Sequence, residues 1–447
     1  MKVVVIGCTH AGTSAVKSIL KEDPSAEVVV FERNDNVSFL SCGIALYIGE
    51  VVKKAEELFY SNPEELKALG AQINMEHNVT NVDDVNKIVT VENLLTGDTR
   101  TETYDKLVLT TGSWPIQPPI PGVEAGNILL CKNYNQAQEI IARKQSTEKV
   151  VIVGGGYIGI ELVEAFVEIG KEVTLIDGLD RILNKYLDPE FTDVLENDLK
   201  ERGVNLILNQ AVEGFDADEA GNVKAVHTPS GTIEADLVIM CVGFRPSNEL
   251  LKDKVDALPN GALKVNEYMQ TSNPDIYAAG DNVAVHYNPT GDHAYIPLAT
   301  NAVRMGSLVG KNIVSNKVKY RGTQGTSGLY LFGYKIGSTG VTENSAPHFG
   351  LNVKTVYIED NYRPEFMPTT EKVQMKLVYD ADTKVILGGQ LMSKYDITQS
   401  ANTLSLAVQN KMTIEDLAYV DFFFQPHFDR PWNYLNILAH AAIDQEN

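Results

Sequence analysis

The sequence contains one local pattern twice: a short apolar strand, a glycine-rich turn, a helix, a second apolar strand and then an acidic residue. The first copy has the turn GCTHAG at 7–12 and the acid Glu32, and the second has the turn GGGYIG at 154–159 and the acid Asp177. In both copies the acid follows the last glycine by about 20 residues, the spacing of a dinucleotide-binding βαβ unit. The repeated pattern therefore predicts two parallel sheets, each with a nucleotide site at its glycine turn.

The physical chemistry of such a turn explains its residue types. The first glycine allows a tight turn after strands predicted at 2–6 and 149–153, the second lets the backbone approach a pyrophosphate, and the third lets helix pack on strand. Free N–H groups at the helix start then face the phosphates, and the acid accepts hydrogen bonds from a ribose. The second turn has all three glycines, whereas Thr9 replaces the middle glycine of the first. Support for the first site must therefore come from other residues.

Charge and hydropathy exclude several classes of protein. The 447 residues include 38 Lys and Arg against 59 Asp and Glu, a formal net charge of −21. Such a surface repels phosphate backbones, so we expect no nucleic-acid partner. No apolar run approaches the ~18 residues of a membrane span, and the N-terminal apolar run is too short for a signal peptide. We therefore expect no membrane association and a cytoplasmic location.

The four cysteines Cys8, Cys42, Cys131 and Cys241 form no C-x-x-C motif, so we expect free thiols and no metal site. Cys42 directly precedes a helix predicted at 44–48, whose N-terminus would favour a thiolate. The alternative interpretation of Cys42 is a buried structural cysteine. The other three cysteines lie in or beside apolar strands, which favours a structural role for them.

The rest of the chain completes a larger α/β architecture. A strand leads to the exposed pair Gly280-Asp281, and from about residue 321 the pattern changes to alternating strands rich in Tyr and Thr. Helices are predicted at about 398–409 and about 431–443, which indicates an α+β domain with an antiparallel sheet. The predicted fold class is α/β, with two Rossmann-like dinucleotide-binding domains and a C-terminal α+β domain.

This order of motifs resembles the pyridine-nucleotide–disulfide oxidoreductase superfamily over essentially the whole chain, and Gly280-Asp281 matches its second flavin motif. The resemblance implies FAD at the first turn, NADH at the second, and a homodimer or dimer of dimers formed through the final domain. It implies an FAD-binding domain at 1–114 and 245–320, an NADH-binding domain at 115–244 and a dimerisation domain at 321–447.

The stretch SFLSCG at 38–43 indicates which branch of the superfamily the chain resembles. Disulfide reductases of the superfamily have two cysteines four residues apart here, whereas this chain has Cys42 alone. The lone cysteine and DFFFQP at 421–426 are similar to the NADH oxidase and NADH peroxidase branch, and GCTHAG and the IALY after Cys42 resemble its water-forming oxidases. Coenzyme A-disulfide reductases share the lone cysteine but typically carry a Pro-Tyr pair where Leu46-Tyr47 stands here.

The resemblance also implies the roles of individual residues. Cys42 and His10 are the expected catalytic residues, with Cys42 cycling between thiolate and sulfenic acid and His10 supporting proton transfer. The expected FAD contacts are Gly7, Thr9, His10, Ala11, Gly12, Glu32, Arg33, Ser41, Cys42, Val79, Thr110, Thr111, Gly112, Ser113, Lys132, Asp281 and Ala299. The expected NADH contacts are Gly154, Gly156, Tyr157, Ile158, Gly159, Asp177, Tyr186, Gly243 and Gly328.

Three further expectations concern specificity. The charge of Asp177 would repel a 2′-phosphate, and no arginine immediately follows it, which favours NADH over NADPH. Gly43 is expected to lack a Cβ so that the flat flavin ring can approach. The aromatic residues between Phe422 and Tyr434 are compatible with core, with a dimer interface, and with a roof over the partner's flavin pocket.

The expected reaction oxidises two NADH and reduces O₂ to two waters. Three alternatives stay open: an NADH peroxidase that starts from H₂O₂, a coenzyme A-disulfide or persulfide reductase, and a non-enzymatic flavoprotein that senses redox state or binds a partner. The preference between O₂ and H₂O₂ depends on the shape of the cavity around the flavin, which the sequence does not determine.

Overall fold

The structure, a computed structural model, describes residues 1–447. Its strands are β1 (Lys2–Ile6), β2 (Glu27–Glu32), β3 (Gln72–Met75), β4 (His77–Asp83), β5 (Ile88–Asn93), β6 (Thr99–Thr103), β7 (Lys106–Leu109), β8 (Ser113–Pro115), β9 (Ile128–Leu130), β10 (Lys149–Val153), β11 (Glu172–Ile176), β12 (Asn205–Ile207), β13 (Gly214–Ala217), β14 (Val223–Thr228), β15 (Gly231–Glu234), β16 (Leu237–Met240), β17 (Phe244–Pro246), β18 (Leu263–Lys264), β19 (Ile276–Ala278), β20 (Val283–Tyr287), β21 (Asp292–Ala294), β22 (Ser327–Leu331), β23 (Tyr334–Gly340), β24 (Val353–Asn361), β25 (Lys372–Asp380) and β26 (Ile386–Ser393).

The helices are α1 (His10–Glu22), α2 (Ile44–Ile48), α3 (Pro63–Ala68), α4 (Tyr134–Lys144), α5 (Tyr157–Glu168), α6 (Pro189–Glu201), α7 (Ala299–Asn312), α8 (Thr398–Gln409), α9 (Ile414–Ala418) and α10 (Tyr434–Glu446). Single 3₁₀ turns occur at Ser41–Gly43, Ala55–Leu58, Glu249–Leu251 and Ala346–Phe349. None of these helices combines the length and the apolar content that crossing a bilayer requires.

The first large sheet is parallel throughout and has the strand order β19-β7-β1-β2-β3. Its central strand β1 is buried on both faces, and Val3, Val4 and Val5 have no exposed surface. Such burial is expected of a parallel strand with helices on both sides of the sheet. Helix α7 packs along α1, where Ser18 Oγ donates a hydrogen bond to the Ser307 carbonyl at 2.8 Å. The packing brings the start of α7 near the first glycine turn.

The second large sheet repeats this arrangement with the parallel order β12-β11-β10-β16-β9. Its central strand β10 leads into the second glycine turn just as β1 leads into the first. Ligand sites in such sheets form at the carboxyl ends of the strands. The topology therefore gives the chain two separate crevices, one beyond β1 and one beyond β10.

The third large sheet is antiparallel, with the order β22-β23-β26-β25-β24 and with helices α8 and α10 packed against it. Two parallel sheets and one antiparallel sheet confirm the predicted fold class. The final helix begins at Tyr434 rather than near residue 431, because the Asn433 side chain accepts the Leu435 N–H at 2.8 Å and so caps the helix there. The sequence analysis did not predict the short helix α9.

A buried ion cluster joins helix α6, which connects β11 and β12 of the second large sheet, to the third sheet. The Lys376 ammonium lies 2.8 Å from Glu190 Oε1, 2.6 Å from Glu343 Oε2 and 3.5 Å from Asp188 Oδ2. The Lys376 side chain is 2% exposed and that of Asp188 is 0% exposed. Asp188 also accepts the backbone N–H groups of Glu343 at 3.0 Å and Asn344 at 3.1 Å. The two units are therefore joined by buried charges as well as by apolar packing.

We expect Lys376→Met to lower the free energy of unfolding by about 3 kcal/mol, because it leaves the Asp188 carboxylate buried without its cation. Urea denaturation measures the change. Lys354→Met is the matched control: Lys354 is 44% exposed and pairs with Glu446 at 2.8 Å, so its loss should change stability by less than about 1 kcal/mol. Equal effects of the two substitutions would contradict the importance of burial here.

Candidate functional site

The first glycine turn joins β1 to α1 and has no room for side chains at two positions. Gly7 has a φ of +89°, and a Cβ there would lie 2.5 Å from the Thr110 carbonyl oxygen. A Cβ on Gly12 would lie 2.1 Å from the Gly7 carbonyl oxygen. Thr110 Oγ1 donates a hydrogen bond to that same oxygen at 2.8 Å. The turn is thus held against the loop after β7, and the start of α1 is presented to the cavity beside it.

Glu32, the last residue of β2, holds the turn from the other side. Its carboxylate accepts the backbone N–H of Cys8 at 2.6 Å and that of Asn34 at 2.9 Å. Glu32 is 2% exposed, and burial raises the pKa of its carboxyl while the two N–H donors act in the opposite direction. The Asn34 side-chain amide also donates to Glu32 at 2.6 Å, so three of the four acceptor positions of the carboxylate are filled and one remains for a hydroxyl donor such as that of a ribose.

A cavity of about 460 Å³ lies along the first turn, within the size range of small-molecule sites. Most of the expected FAD contacts line it, namely Gly7, Thr9, His10, Ala11, Glu32, Arg33, Ser41, Val79, Thr110, Thr111, Gly112, Ser113, Lys132 and Asp281. Gly12, Cys42 and Ala299 do not line it. Gly12 faces Gly7, Cys42 follows the lining residue Ser41, and Ala299 begins α7, which reaches the cavity through Ala302.

The cavity also has lining residues that no sequence motif indicated. His77 and Asn78 reach it from β4, and Trp114 reaches it from β8. The Arg33 guanidinium carbon lies 5.3 Å from the centre of the Trp114 ring, which is a cation–π distance. Trp114 could have been predicted from the sequence, because it is an aromatic residue directly after the Thr110–Ser113 turn. His77 and Asn78 had no such signal, because strand packing alone brings β4 to the cavity.

Three polar side chains from distant segments meet at one end of this cavity. Lys132 Nζ lies 3.1 Å from Asp281 Oδ2 and 3.2 Å from Ser113 Oγ, and Ser113 Oγ donates to Asp281 at 3.1 Å. The charges of Lys132 and Asp281 act on both His10 and Cys42, in opposite directions. The cluster therefore places a paired cation and anion beside the two expected catalytic residues.

His10 is the first residue of α1 and lines the cavity. Its Nδ1 hydrogen-bonds the Tyr60 hydroxyl at 2.9 Å, and the two rings stack with centres 5.5 Å apart. Its Nε2 is buried and has no protein partner. Burial lowers the pKa of His10, an effect that Asp281 opposes and Lys132 reinforces. The ring is thus fixed at one nitrogen and available at the other, and Tyr60 is a site residue that the sequence analysis missed.

Cys42 lies in the 3₁₀ turn that precedes α2, and its side chain is exposed. Burial and the Glu161 carboxylate raise the pKa of the Cys42 thiol, whereas Lys132 and the backbone of its own turn lower it. A Cys42 thiolate stays a prediction. Helix α2 has five residues, too few for a large dipole.

The expectation for Gly43 is wrong. A Cβ on Gly43 would lie 2.3 Å from Leu58 Cδ2, and Gly43 is buried. The glycine therefore allows close packing of the Cys42 turn on the segment after α2. It does not clear space for a ring in the first cavity.

The second glycine turn repeats the first with backbone groups alone. A Cβ on Gly159 would lie 1.9 Å from the Gly154 carbonyl oxygen, which allows α5 to pack closely on β10. Asp177 accepts the Gly155 N–H through Oδ2 and the Leu179 N–H at 2.8 Å through Oδ1. A Cβ on Gly156 would meet no protein atom within 4 Å. The middle of this turn is therefore open for a ligand.

A second cavity of about 610 Å³ adjoins this turn. Among the expected NADH contacts, those that line it are Gly154, Gly156, Asp177, Tyr186 and Gly243, whereas those that do not are Tyr157, Ile158, Gly159 and Gly328.

Tyr157 does not line the second cavity because its side chain packs against protein. It stacks on Tyr186 with ring centres 4.1 Å apart, and its hydroxyl hydrogen-bonds Ser327 Oγ at 2.7 Å.

Arg181 lines the second cavity, but its guanidinium forms an ion pair with Asp193. The Arg181 guanidinium is therefore already engaged by another carboxylate.

Several aromatic residues near the C-terminus are exposed rather than packed. Phe423 is 68% exposed, Phe428 is 59% exposed and Trp432 is 50% exposed, whereas Tyr434 is buried. Phe422 packs partly against the core of the third sheet. The rings of Phe423 and Phe428 are neighbours, with centres 6.5 Å apart. Exposed aromatic surface of this kind is typical of an interaction site.

Comparison with known proteins agrees with this geometry. Residues 1–306 match the family described as pyridine nucleotide-disulphide oxidoreductase, and residues 326–434 match its dimerisation domain. An NADH oxidase of Enterococcus faecalis is 72% identical over 99% of this chain and 100% of its own length. An NAD(P)H coenzyme A polysulfide/persulfide reductase of Pyrococcus horikoshii is 35% identical over 98% of both chains. The structure of a water-forming NADH oxidase from Lactobacillus brevis bound to NADH has a TM-score of 0.98 and 57% identity, covering 100% of this chain and 98% of that one.

Two dinucleotide crevices and a lone exposed thiol define a flavoprotein oxidoreductase. The chain belongs to the pyridine nucleotide-disulphide oxidoreductase family. Membership confirms the predicted enzyme class, with FAD and a pyridine nucleotide as cofactors. The residues present fit these groups, because each crevice offers a helix start, the second has open space at Gly156, and the first also offers the unpartnered His10 Nε2.

We expect Gly156→Ala to raise KM for the pyridine nucleotide at least about tenfold, because the new methyl group would enter the space where the backbone meets a pyrophosphate. The melting temperature should stay unchanged, since the methyl group meets no protein atom. Steady-state kinetics and thermal melting measure the two effects. Gly214→Ala is the control and should leave KM within about twofold, because a Cβ there would meet no protein atom closer than 3.7 Å and Gly214 does not line the second cavity. An unchanged KM in Gly156→Ala would remove Gly156 from the nucleotide site.

Proposed function

We propose that this chain is an NADH oxidase that reduces O₂ to water at the expense of two NADH. The observation that carries the proposal is the lone thiol of Cys42 beside the first cavity. Cys8 and Cys131 are buried, and Cys241 lies at the second cavity. A sulfenic acid on Cys42 would therefore lack a partner thiol for disulfide formation.

FAD would be held by the start of α1, by Glu32 and by the Lys132–Asp281 pair, and when bound it supplies the two-electron carrier between NADH and O₂. NADH would be held by the turn at 154–159 and by Asp177. The identity of 72% to an NADH oxidase over the full chain supports this assignment. The NADH-bound structure of the Lactobacillus brevis enzyme supports the choice of nucleotide.

In this proposal Cys42 reduces the peroxide formed from O₂ to water. Two electrons from the first NADH convert O₂ to H₂O₂. The Cys42 thiolate attacks one peroxide oxygen, so that an S–O bond forms, the O–O bond breaks and the leaving hydroxide takes a proton to become water. Two electrons from the second NADH then reduce the sulfenic acid to the thiol and release the second water. The sum is two NADH, two protons and O₂ giving two NAD⁺ and two waters.

His10 is the group in this proposal that handles the proton. The Tyr60 hydroxyl holds Nδ1 and leaves Nε2 free, and the lowered pKa keeps the ring neutral near pH 7. A neutral imidazole with a free nitrogen donates or accepts a proton according to its tautomer. His10 would therefore orient the oxygen species and return the proton to the leaving hydroxide.

The second candidate function is reduction of a coenzyme A persulfide, because the Pyrococcus horikoshii relative with that name matches 98% of this chain. An NADH peroxidase would use the same thiol and histidine but would start from added H₂O₂. The three reactions differ in the oxidant consumed. Oxygen uptake, peroxide-dependent NADH oxidation and thiol release from a coenzyme A persulfide therefore separate them.

The exposed aromatic residues of the C-terminal domain also enter the proposal. We infer that Phe423, Phe428 and Trp432 pack against a second copy of the chain. The match of residues 326–434 to a dimerisation domain supports a homodimer. Aromatic side chains are enriched at the centres of such interfaces.

We expect Cys42→Ser to change the ratio of NADH to O₂ consumed from two to one, with release of free H₂O₂, because the hydroxyl of serine cannot cleave peroxide. An oxygen electrode with and without catalase, together with NADH absorbance, measures the ratio. Cys131→Ser removes a buried thiol, 4% exposed, and should keep the ratio at two. Full water yield from Cys42→Ser would end the proposed cysteine cycle.

We expect Asp177→Asn to raise the preference for NADPH, measured as the ratio of kcat/KM values, at least about tenfold, equivalent to 1.4 kcal/mol. The substitution removes the charge that repels a 2′-phosphate but retains an acceptor for the Gly155 N–H. Asp180→Asn is the control, because Asp180 is exposed and does not line the second cavity. A ratio that moves equally in both variants would show that general surface charge, and not Asp177, determines the preference.

A further inference from the structure

The second cavity contains one cation that no group of the protein neutralises. Three charged side chains line this cavity, those of Asp177, Arg181 and Lys185. The Arg181 guanidinium is paired with Asp193, and the Asp177 carboxylate accepts two backbone N–H groups. Burial lowers the pKa of Lys185, and no carboxylate opposes that effect. Lys185 also retains exposed surface, so its ammonium is available to a ligand.

The backbone that carries Lys185 is fixed against the second glycine turn. The Leu183 N–H donates to the Gly155 carbonyl at 2.8 Å, and the Tyr186 N–H donates back to the Leu183 carbonyl at 2.7 Å. Leu183 is buried and has a φ of +51°, in the left-handed region that residues with a Cβ rarely adopt. Such a conformation persists only where the surrounding contacts hold it, and it is common at ligand sites.

Tyr186 determines which part of the cavity Lys185 occupies. The Tyr186 ring stacks on that of Tyr157, the first residue of α5, with ring centres 4.1 Å apart. The Tyr186 carbonyl accepts the Ser338 hydroxyl at 2.9 Å, which holds the segment from the third sheet. The Lys185 ammonium lies 5.8 Å from the centre of the Tyr186 ring. The cation therefore belongs to the end of the cavity where α5 begins.

A pyridine nucleotide in this cavity brings two phosphate charges to the start of α5. The helix start offers N–H groups and only partial positive charge to them. Asp177 puts a carboxylate into the same cavity, and a carboxylate repels phosphate. Lys185 is the unpaired cation that offsets this repulsion, and an ammonium forms charge-assisted hydrogen bonds with phosphate oxygens.

We propose that the Lys185 ammonium binds the pyrophosphate of NADH in the second cavity and offsets the negative charge of Asp177. The inference deepens the proposed function and rests on its assignment of NADH to this cavity. The two charges then have separate tasks. Asp177 acts at the 2′ position of the adenosine ribose, whereas Lys185 raises the affinity for every ligand that carries the pyrophosphate.

Equilibrium binding tests this role without turnover. The probe is ADP-ribose, which has the pyrophosphate but no nicotinamide, and the FAD-loaded enzyme is used so that FAD occupies the first cavity. Isothermal titration calorimetry gives the dissociation constant. Lys185→Met should weaken ADP-ribose binding about tenfold, because one charge-assisted contact is lost. Raising NaCl from about 50 to about 500 mM should weaken binding more in the wild type than in Lys185→Met, since salt screens the ion pair.

A second probe locates the contact on the ligand. The probe is 2′-phospho-ADP-ribose, which adds a phosphate at the 2′ position. A pyrophosphate contact predicts that Lys185→Met weakens both ligands by the same factor. A contact at the 2′ position predicts that only the 2′-phosphorylated ligand is weakened, and that result would contradict the proposal.

Three variants distinguish charge at this position from other effects. Lys185→Arg retains the positive charge and should keep the dissociation constant for ADP-ribose within about threefold of the wild-type value. Lys200→Met removes an exposed lysine on α6 that does not line the second cavity, and it should change the constant less than about twofold. Lys185→Gln is a second neutral variant, and FAD content and thermal melting show which neutral variants are folded.

Wild-type affinity for ADP-ribose in a folded neutral variant would overturn the proposal, as would an equal loss of affinity in Lys200→Met. Failure of the proposed reaction has a different signature. In that case the wild type would release free H₂O₂ while the ADP-ribose affinities of the Lys185 variants still differed. The calorimetric and oxygen measurements therefore test the pyrophosphate contact and the reaction separately.

Discussion

Two carboxylates hold the two glycine turns against their sheets, and both crevices depend on these contacts. Glu32 accepts the Cys8 N–H, and Asp177 accepts the Gly155 N–H. Glu32 is the last residue of β2 and Asp177 directly follows β11, and each of these strands pairs with the strand that leads into the turn. Each hydrogen bond therefore crosses the carboxyl edge of its sheet and holds the turn through a backbone N–H. The helix start, with its free N–H groups, is thereby left open to a ligand.

The two glycine turns differ in the groups that they present to their cavities. The second turn has Gly155 and Gly156 at its centre and offers backbone alone. The first has Cys8 and Thr9 at the corresponding positions; Cys8 is buried and Thr9 lines the first cavity. His10, which corresponds to Tyr157 of the second turn, also lines the first cavity, whereas Tyr157 does not line the second. The first turn therefore presents two side chains to its cavity. His10 then receives its orientation from Tyr60, which belongs to a different segment.

The charges around the reactive thiol come from elements that are far apart in the chain. Lys132 and Asp281 form an ion pair, and both charges act on Cys42, as does the Glu161 carboxylate on helix α5. Burial and the carboxylates together raise the pKa of Cys42, opposite to the effect that a helix start alone predicts. Short-range sequence context identified Cys42 as a candidate, but its proton affinity depends on the assembled charges, whose effects extend beyond hydrogen-bond distance in a poorly solvated site.

The sequence by itself determined both glycine turns, the strands at 2–6 and 149–153, which have the same bounds in the structure, and the identity of Cys42 and His10 as candidates. These features are local, because apolar runs, glycine spacing and a lone cysteine are legible within a few residues. Tertiary structure alone decided that Tyr60 stacks on His10 and that Gly43 packs on Leu58. Those contacts arise from the packing of separate segments, which brings together residues 50 and 15 positions apart, and no pattern within a few residues predicts them.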